Sequence, residues 1–290
     1  MAGAWRELTV HTSQEAVEAV SHWLLEQGAP GVRVEEQGGA ARVSACFRTL
    51  EAEQLEALRG FLARLPEWGL AAGEGRVETR TVAEEDWAHA WKRFYHVQRI
   101  GPFAIVPSWE RYVAEPGVHR IELDPGMAFG TGTHPTTRLC LKAVAAGVAP
   151  GRRVWDIGTG SGILAIAAAK LGAAVVAVDV DTDAIAIARA NVRLNGVEGA
   201  VRLASGSVAT AVELAGGTPP DFIVCNIVAD VILALLPDLC AALGDESGLL
   251  LSGLVADRLD EVERALAAVG GRTVATESDG EWRALLCRRR

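Results

Sequence analysis

Apolar positions change their spacing several times along the chain, and each change marks an element. Residues 4–10 alternate like a half-buried strand, and Val17, Val20 and Leu24 then recur at helical spacing. Thr12 or Ser13 can cap that helix, Thr12 and Glu15 standing at capping-box spacing, and Gly28 suits its stop. Val32–Glu35 and Arg42–Phe47 read as strands of a hairpin through Gly38-Gly39. Glu51–Leu65 places Leu55, Leu58, Leu62 and Leu65 on one helical face before Pro66, and Arg76–Val82 reads as a fourth strand. The order β-α-β-β-α-β predicts a ferredoxin-like α+β domain over residues 1–82. No cluster of reactive side chains stands in it, which points to binding or positioning.

Residues 83–118 predict a linker, with a charged helix at Glu84–Tyr95 whose Trp87, Trp91 and Tyr95 form a packing stripe. A strand at Ala104–Val106 follows, hairpin-like with Arg120–Leu123. From Arg138 onward, helix, strand, glycine loop, helix and strand recur to the C-terminus. That rhythm predicts a doubly wound, Rossmann-like parallel α/β sheet over residues 119–290.

Composition narrows the function classes. The 290 residues suffice for about two domains. A net charge of −9 makes the chain a poor binder of phosphate backbones, so no sequence-specific nucleic-acid contact is expected, while a basic protein remains a suitable partner. The cysteines (Cys46, Cys140, Cys225, Cys240 and Cys287) are odd in number and scattered, with no C-x-x-C pair. Neither a disulfide framework nor a metal site is expected, and the reducing cytoplasm is the expected setting. The N-terminus has no apolar signal core, and Ile157–Val178, the longest nearly uncharged stretch, is broken by glycines and Lys170. No membrane span is expected.

The candidate chemistry begins at Asp156-Ile157-Gly158-Thr159-Gly160-Ser161-Gly162, between a strand at Arg153–Ile157 and a helix at Ile163–Leu171. Alternate glycines allow a tight turn and bring backbone N–H groups to a ligand at a helix N-terminus. A P-loop would need a Lys-Ser/Thr pair, which is missing. A dinucleotide fingerprint would need its third glycine where Ile163 stands, and it is the rival reading. Asp179 ends the next strand, 21 residues beyond Gly158, where an acid can accept hydrogen bonds from ribose hydroxyls. Asp181 and Asp183 read as first-turn acids of the helix that follows. Asn226 ends the apolar strand Asp221–Ile227, at the edge where such sheets place their sites. Cys225 beside it reads as a small core residue.

The D-x-G-x-G-x-G loop resembles motif I of class I S-adenosylmethionine-dependent methyltransferases. Asp124-Pro125-Gly126-Met127-Ala128-Phe129-Gly130-Thr131-Gly132-Thr133-His134-Pro135-Thr136-Thr137 is far more specific. With Glu85-Asp86-Trp87 and the Asp221–Ile227 segment, it resembles the PrmA family of methyltransferases of ribosomal protein L11, over nearly the whole chain. The family's cofactor contacts fall on Thr137, Gly158, Asp179 and Asn226, and Asp156, Gly160, Gly162 and Phe129 complete the candidate cofactor set. Two positions depart from the family: Cys225 stands where it usually has Ala, and Thr159 where it often has Cys. The resemblance implies S-adenosyl-L-methionine as cofactor and ribosomal protein L11 of the large-subunit stalk base as substrate. It also implies lysine side-chain and N-terminal α-amines as acceptors, and residues 1–82 as the substrate-recognition domain.

Enzymes acting on planar nitrogens typically carry N-P-P-[YF] where this chain has Asn226-Ile227-Val228-Ala229, which points to an sp³ amine. The catalytic candidates are Asn226, to orient the amine, and His134, either as proton acceptor or through a loop-ordering hydrogen bond. A methyltransferase acting on another protein or a small amine, and a non-catalytic cofactor-binding module, are the rival functions. The intact motifs from Asp156 to Asn226 argue against the module.

Overall fold

The computed structural model describes residues 5–29, 31–37, 40–68, 70–82, 96–124 and 134–290. It divides into two compact units, Met1–Phe94 and Tyr95–Arg290. The expected helix at 84–95 and the Gly38-Gly39 turn lie outside the described residues.

The first unit runs β1 (Trp5–Ser13), α1 (Val17–Glu26), β2 (Val32–Gln37), β3 (Ala40–Phe47), α2 (Ala52–Arg64) and β4 (Arg76–Val82). Its sheet order is β2-β3-β1-β4 with every neighbouring pair antiparallel, the ferredoxin-like arrangement. Strand alternation sends Leu8, Val10, Val43, Ala45 and Phe47 into one core with Val20, Leu24, Leu58, Leu62 and Leu65 of the helical segments. Of the two expected caps, Thr12 is overturned, while Ser13 stands at the N-cap position of the 3-10 turn Gln14–Ala16 without a side-chain cap bond. β1 continues through Ser13, and the Thr12 hydroxyl donates to the Ala72 carbonyl at 3.1 Å, so strand pairing and a long-range bond prevail over the local capping pattern. Gly28, at φ +87°, ends the helix as its position suggested.

The second unit opens with β5 (Gln98–Ile100), β6 (Phe103–Val106) and β7 (His119–Glu122). Here the hairpin expectation is corrected: β6 and β7 run parallel, and the antiparallel partner of β6 is β5, reached through Gly101 at φ +55°. The alternation over three-residue β5 is too short to register as a strand. The chain continues as α3 (Pro135–Gly147), β8 (Arg153–Ile157), α4 (Ile163–Lys170), β9 (Ala174–Asp179), α5 (Thr182–Leu194), β10 (Val201–Ser205), α6 (Val208–Leu214), β11 (Phe222–Asn226), α7 (Ala229–Ala242), β12 (Gly248–Val255), α8 (Leu259–Ala268), β13 (Gly271–Asp279) and β14 (Trp282–Arg289).

The seven-stranded sheet has the order β10-β9-β8-β11-β12-β14-β13. β8 to β12 are parallel, and β14 is antiparallel to both its neighbours. Both faces are covered. Val154, Val175, Val224 and Leu250 pack with α3 and α4 on one side, whereas Trp155, Val176, Ile223 and Leu251 pack with α7 and α8 on the other. This is a doubly wound, Rossmann-like sheet. Strand order reverses between β8 and β11, so the glycine loop and Asn226 leave adjacent strand ends at the switch point where such sheets bind ligands. Among the described residues no helix is long and apolar enough to cross a membrane.

Candidate active site

The glycine loop is held by bonds that its residue types make available. Gly158, Gly160 and Gly162 all have positive φ (75°, 53° and 83°), a conformation a Cβ would oppose. The N–H groups of Gly158 and Thr159 donate to the Val178 carbonyl at 2.9 and 3.0 Å, tying the loop to β9. Asp156 Oδ2 accepts from the Thr159 hydroxyl at 2.7 Å and from Ala165 N at 3.1 Å. Burial pushes the Asp156 carboxyl up to about 6, against the opposing pull of the Thr159 and Ala165 hydrogen bonds. Asp179 Oδ2 accepts from Gly160 N at 2.9 Å and its Oδ1 from Asp181 N at 3.1 Å. Asp181 in turn caps α5 through Asp183 N, the helix-start role read for it.

At the ends of β8, β9, β10 and β11 lies a cavity of about 480 Å³, within the size range of small-ligand sites. Its lining brings together His134, Thr137, Gly158, Gly160, Asp179 and Asn226. Asp156 and Gly162 stay outside it. The first is 1% exposed and braces the loop from below; the second is the N-cap of α4, packed against Ala188. Phe129 lies outside the described residues. Thr137 Oγ1 and Asn226 Oδ1 are buried and have no hydrogen-bond partner among the described residues. Two unpartnered polar atoms lining a cavity beside a glycine cradle and a ribose-type acid suit a ligand with polar ends, as S-adenosylmethionine has.

His134 is the N-cap of α3. Its Nδ1 accepts from Thr136 N at 3.3 Å and lies 2.7 Å from the Thr136 hydroxyl. Burial and the nearby Arg138 hold its pKa below the usual histidine value, so the ring is neutral at physiological pH. With the Nδ1 lone pair engaged, this is loop-ordering geometry. Cys225 is fully buried, and burial pushes its thiol pKa far up, as befits a core residue.

Several lining residues escaped the sequence reading. Val180 and Val228 are 77% and 64% exposed, large apolar groups that line the cavity after β9 and after β11. Gly206 and Ser207 follow β10, a position that the strand-end rule itself could have flagged. Trp282, from the terminal hairpin, packs edge-on to His134 with centroids 4.7 Å apart. Arg138 of α3 clamps Asp279 of the same hairpin at 2.7 and 3.0 Å, which sets that contact. Gly253 of β12 also lines the cavity.

The model of the family described as ribosomal protein L11 methyltransferase (PrmA) matches residues 4–290. A ribosomal protein L11 methyltransferase of Alkaliphilus oremlandii is 37% identical, with 97% of each chain covered. One from Bacillus cytotoxicus is 39% identical over 92% of this chain and 93% of its own. The crystal structure of a ribosomal protein L11 methylase from Lactobacillus delbrueckii subsp. bulgaricus aligns with a TM-score of 0.62 at 36% identity, covering 68% of this chain and all of that one. With the family model spanning nearly the whole sequence and the glycine loop, Asp179 and Asn226 gathered in one cavity, this chain belongs to the PrmA family of S-adenosylmethionine-dependent protein methyltransferases.

Proposed function

We propose that this enzyme methylates ribosomal protein L11, at the stalk base of the large subunit, on lysine side-chain amines and the N-terminal α-amine, in the cytoplasm. The observation that carries the acceptor class is Asn226: it ends β11 in the cavity with a buried, unpartnered Oδ1, and Ile227-Val228-Ala229 follows it in place of a proline clamp for flat nitrogens.

The residues that would hold the cofactor are Asp179 toward the ribose, the Gly158–Gly160 loop beside it, and Thr137 and Asn226 through their open polar atoms. S-adenosylmethionine supplies an electrophilic methyl group on a sulfonium. What remains for the chain is alignment, which accounts for about 7–11 kcal/mol in well-oriented reactions. An attacking amine must be neutral. With a reference pKa of about 10.4, a lysine near pH 7.4 is neutral in about one molecule per thousand, a cost of about 4 kcal/mol, whereas an α-amine at about 7.7–8.0 meets a far smaller one. Val228, Val231 and Trp282 offer an apolar wall that favours the neutral form, and Asn226 Oδ1 accepts from its N–H. His134 has its Nδ1 engaged by Thr136, which supports the loop-ordering role over that of proton acceptor. Residues 1–82 carry no cofactor motif, which supports a role in presenting the protein substrate.

The test is incubation of the full chain with methyl-labelled S-adenosylmethionine, ribosomal protein L11 and ribosomal RNA, followed by peptide mass spectrometry. Label on lysine and N-terminal amines of the protein is expected. Label confined to RNA or to side-chain amides, or no label on ribosomal protein L11, overturns the proposal.

A further inference from the structure

Within β12 the leucine-rich run Leu249-Leu250-Leu251-Ser252-Gly253-Leu254 is broken by Gly253. Gly253 has φ +86°, and the register with β14 slips between Ser252 and Leu254, so a bulge sits there. A Cβ at Gly253 would overlap the Ile227 carbonyl oxygen and stand 2.8 Å from its carbonyl carbon and 3.2 Å from its nitrogen. These are backbone atoms, which cannot swing away as a side chain could. Next to the glycine, the buried Ser252 carbonyl accepts from Ile227 N at 3.1 Å, so the turn after Asn226 is pinned against the bulge. On the other side of that turn, a Cβ at Gly158 would overlap Cγ2 of Ile227. Ile227 is therefore wedged between the glycine loop of β8 and the bulge of β12.

We propose that Gly253 is a positioning residue for methyl transfer: the space its missing Cβ leaves lets the Ile227 backbone close onto β12, and this sets Asn226 against the glycine loop. The proposal rests on the reading of Asn226 as the residue that orients the amine. Nothing in the sequence pairs residues 227 and 253; the parallel β11–β12 register does so, bringing Asn226 opposite Ser252.

Gly270 supplies the control, having nearly the same φ (+81°) but no atom within 4 Å of its would-be Cβ. Gly270→Ala bears the same backbone strain without touching the site. In the full chain, thermal melting, S-adenosylmethionine binding by calorimetry, and turnover on ribosomal protein L11 are compared for Gly253→Ala, Gly270→Ala, Asn226→Ala and the double variant Asn226→Ala/Gly253→Ala. Gly253→Ala is expected to melt below Gly270→Ala, because it adds the overlap with Ile227, and to bind cofactor no more weakly than Asn226→Ala does. It should lose about a hundredfold in kcat, the scale of an ångström's misplacement. The double variant should turn over no slower than Asn226→Ala, because both changes act on one interaction. Turnover of Gly253→Ala equal to that of Gly270→Ala, or losses that multiply in the double variant, overturns the proposal alone. Full turnover by Asn226→Ala overturns the underlying reading and the proposal with it. If Gly253→Ala does not fold, Gly253→Asn, which tolerates the left-handed region, takes its place in the same comparison. Failure of both to fold while Gly270→Ala folds assigns the glycine to the fold and overturns the proposal.

Discussion

Asp179 has two tasks for one carboxylate. It holds the glycine loop through Gly160 N and the start of the next turn through Asp181 N, each with a different oxygen. Each oxygen keeps a further lone pair, enough to accept from ribose hydroxyls. Asp179→Ala is therefore expected to weaken S-adenosylmethionine binding by about 1.5–3 kcal/mol, the range for hydrogen bonds to a charged acceptor. Titration calorimetry checks this, and unchanged affinity contradicts it. Asp156 differs because no water reaches it. It keeps its proton to about pH 6 in the folded chain, against 3.8 for an ordinary aspartate. The folded state thus binds more protons than the unfolded one between those values. Stability from this group is full below pH 4 and declines as pH rises through 6, by about 1.4 kcal/mol per pH unit between. Asp156→Asn removes that decline, so the stability difference between variant and wild type should shift toward the variant from pH 4.5 to pH 7. Denaturant midpoints at the two pH values test it, and a pH-independent difference refutes it.

At the level of elements, α5 works as a tie bar. Asn191 Nδ2 donates to the Ser161 carbonyl of the glycine loop at 2.8 Å. One turn on, Asn195 meets the β7 backbone as a peptide would: its Oδ1 accepts from Glu122 N and its Nδ2 donates to Glu122 O, both at 2.8 Å. Lys170 of α4 adds a 2.7 Å bond to the Asn195 carbonyl. One helix face therefore fixes both the glycine loop and the strand leading to the Asp124–Thr137 run. Asn195→Ala leaves a largely buried donor and acceptor unmatched, and should cost about 1–3 kcal/mol in chemical unfolding. An unchanged midpoint would mean that the small sheet is held by its apolar contacts alone.

For the molecule as a whole, every cavity residue belongs to the second unit, while the first has a core of its own. If the first unit presents the substrate, a chain beginning at Val97 keeps cofactor binding but loses most methylation of intact ribosomal protein L11. Methylation of short amine-bearing peptides should be affected far less. Paired binding and turnover assays check both halves, and full activity on the intact protein excludes the presenting role. A net charge of −9 also predicts that KM for a basic protein substrate rises with ionic strength, because screening weakens their mutual attraction.

Local sequence determined those features whose causes are local. Short apolar runs bounded by turn residues located β8, α4 and β11 of the parallel sheet to within a few residues, because strands covered on both faces read as nearly continuous apolar stretches. The glycine loop, Asp179 and Asn226 were legible because a tight turn and a strand end each need particular residue types at short range. Tertiary structure alone decided what depends on neighbours distant in the chain. Thr12 had a capping pattern, yet strand pairing and Ala72 claimed it. Asp156 carries the motif's acid, yet the packing around β8 turned it inward, to brace the loop from outside the cavity. Trp282 reached His134 only through an antiparallel hairpin more than a hundred residues away, and Gly253 met Ile227 only because β11 and β12 lie side by side. Period and turn chemistry act between residues a few positions apart, whereas close packing acts between whatever surfaces the topology brings together.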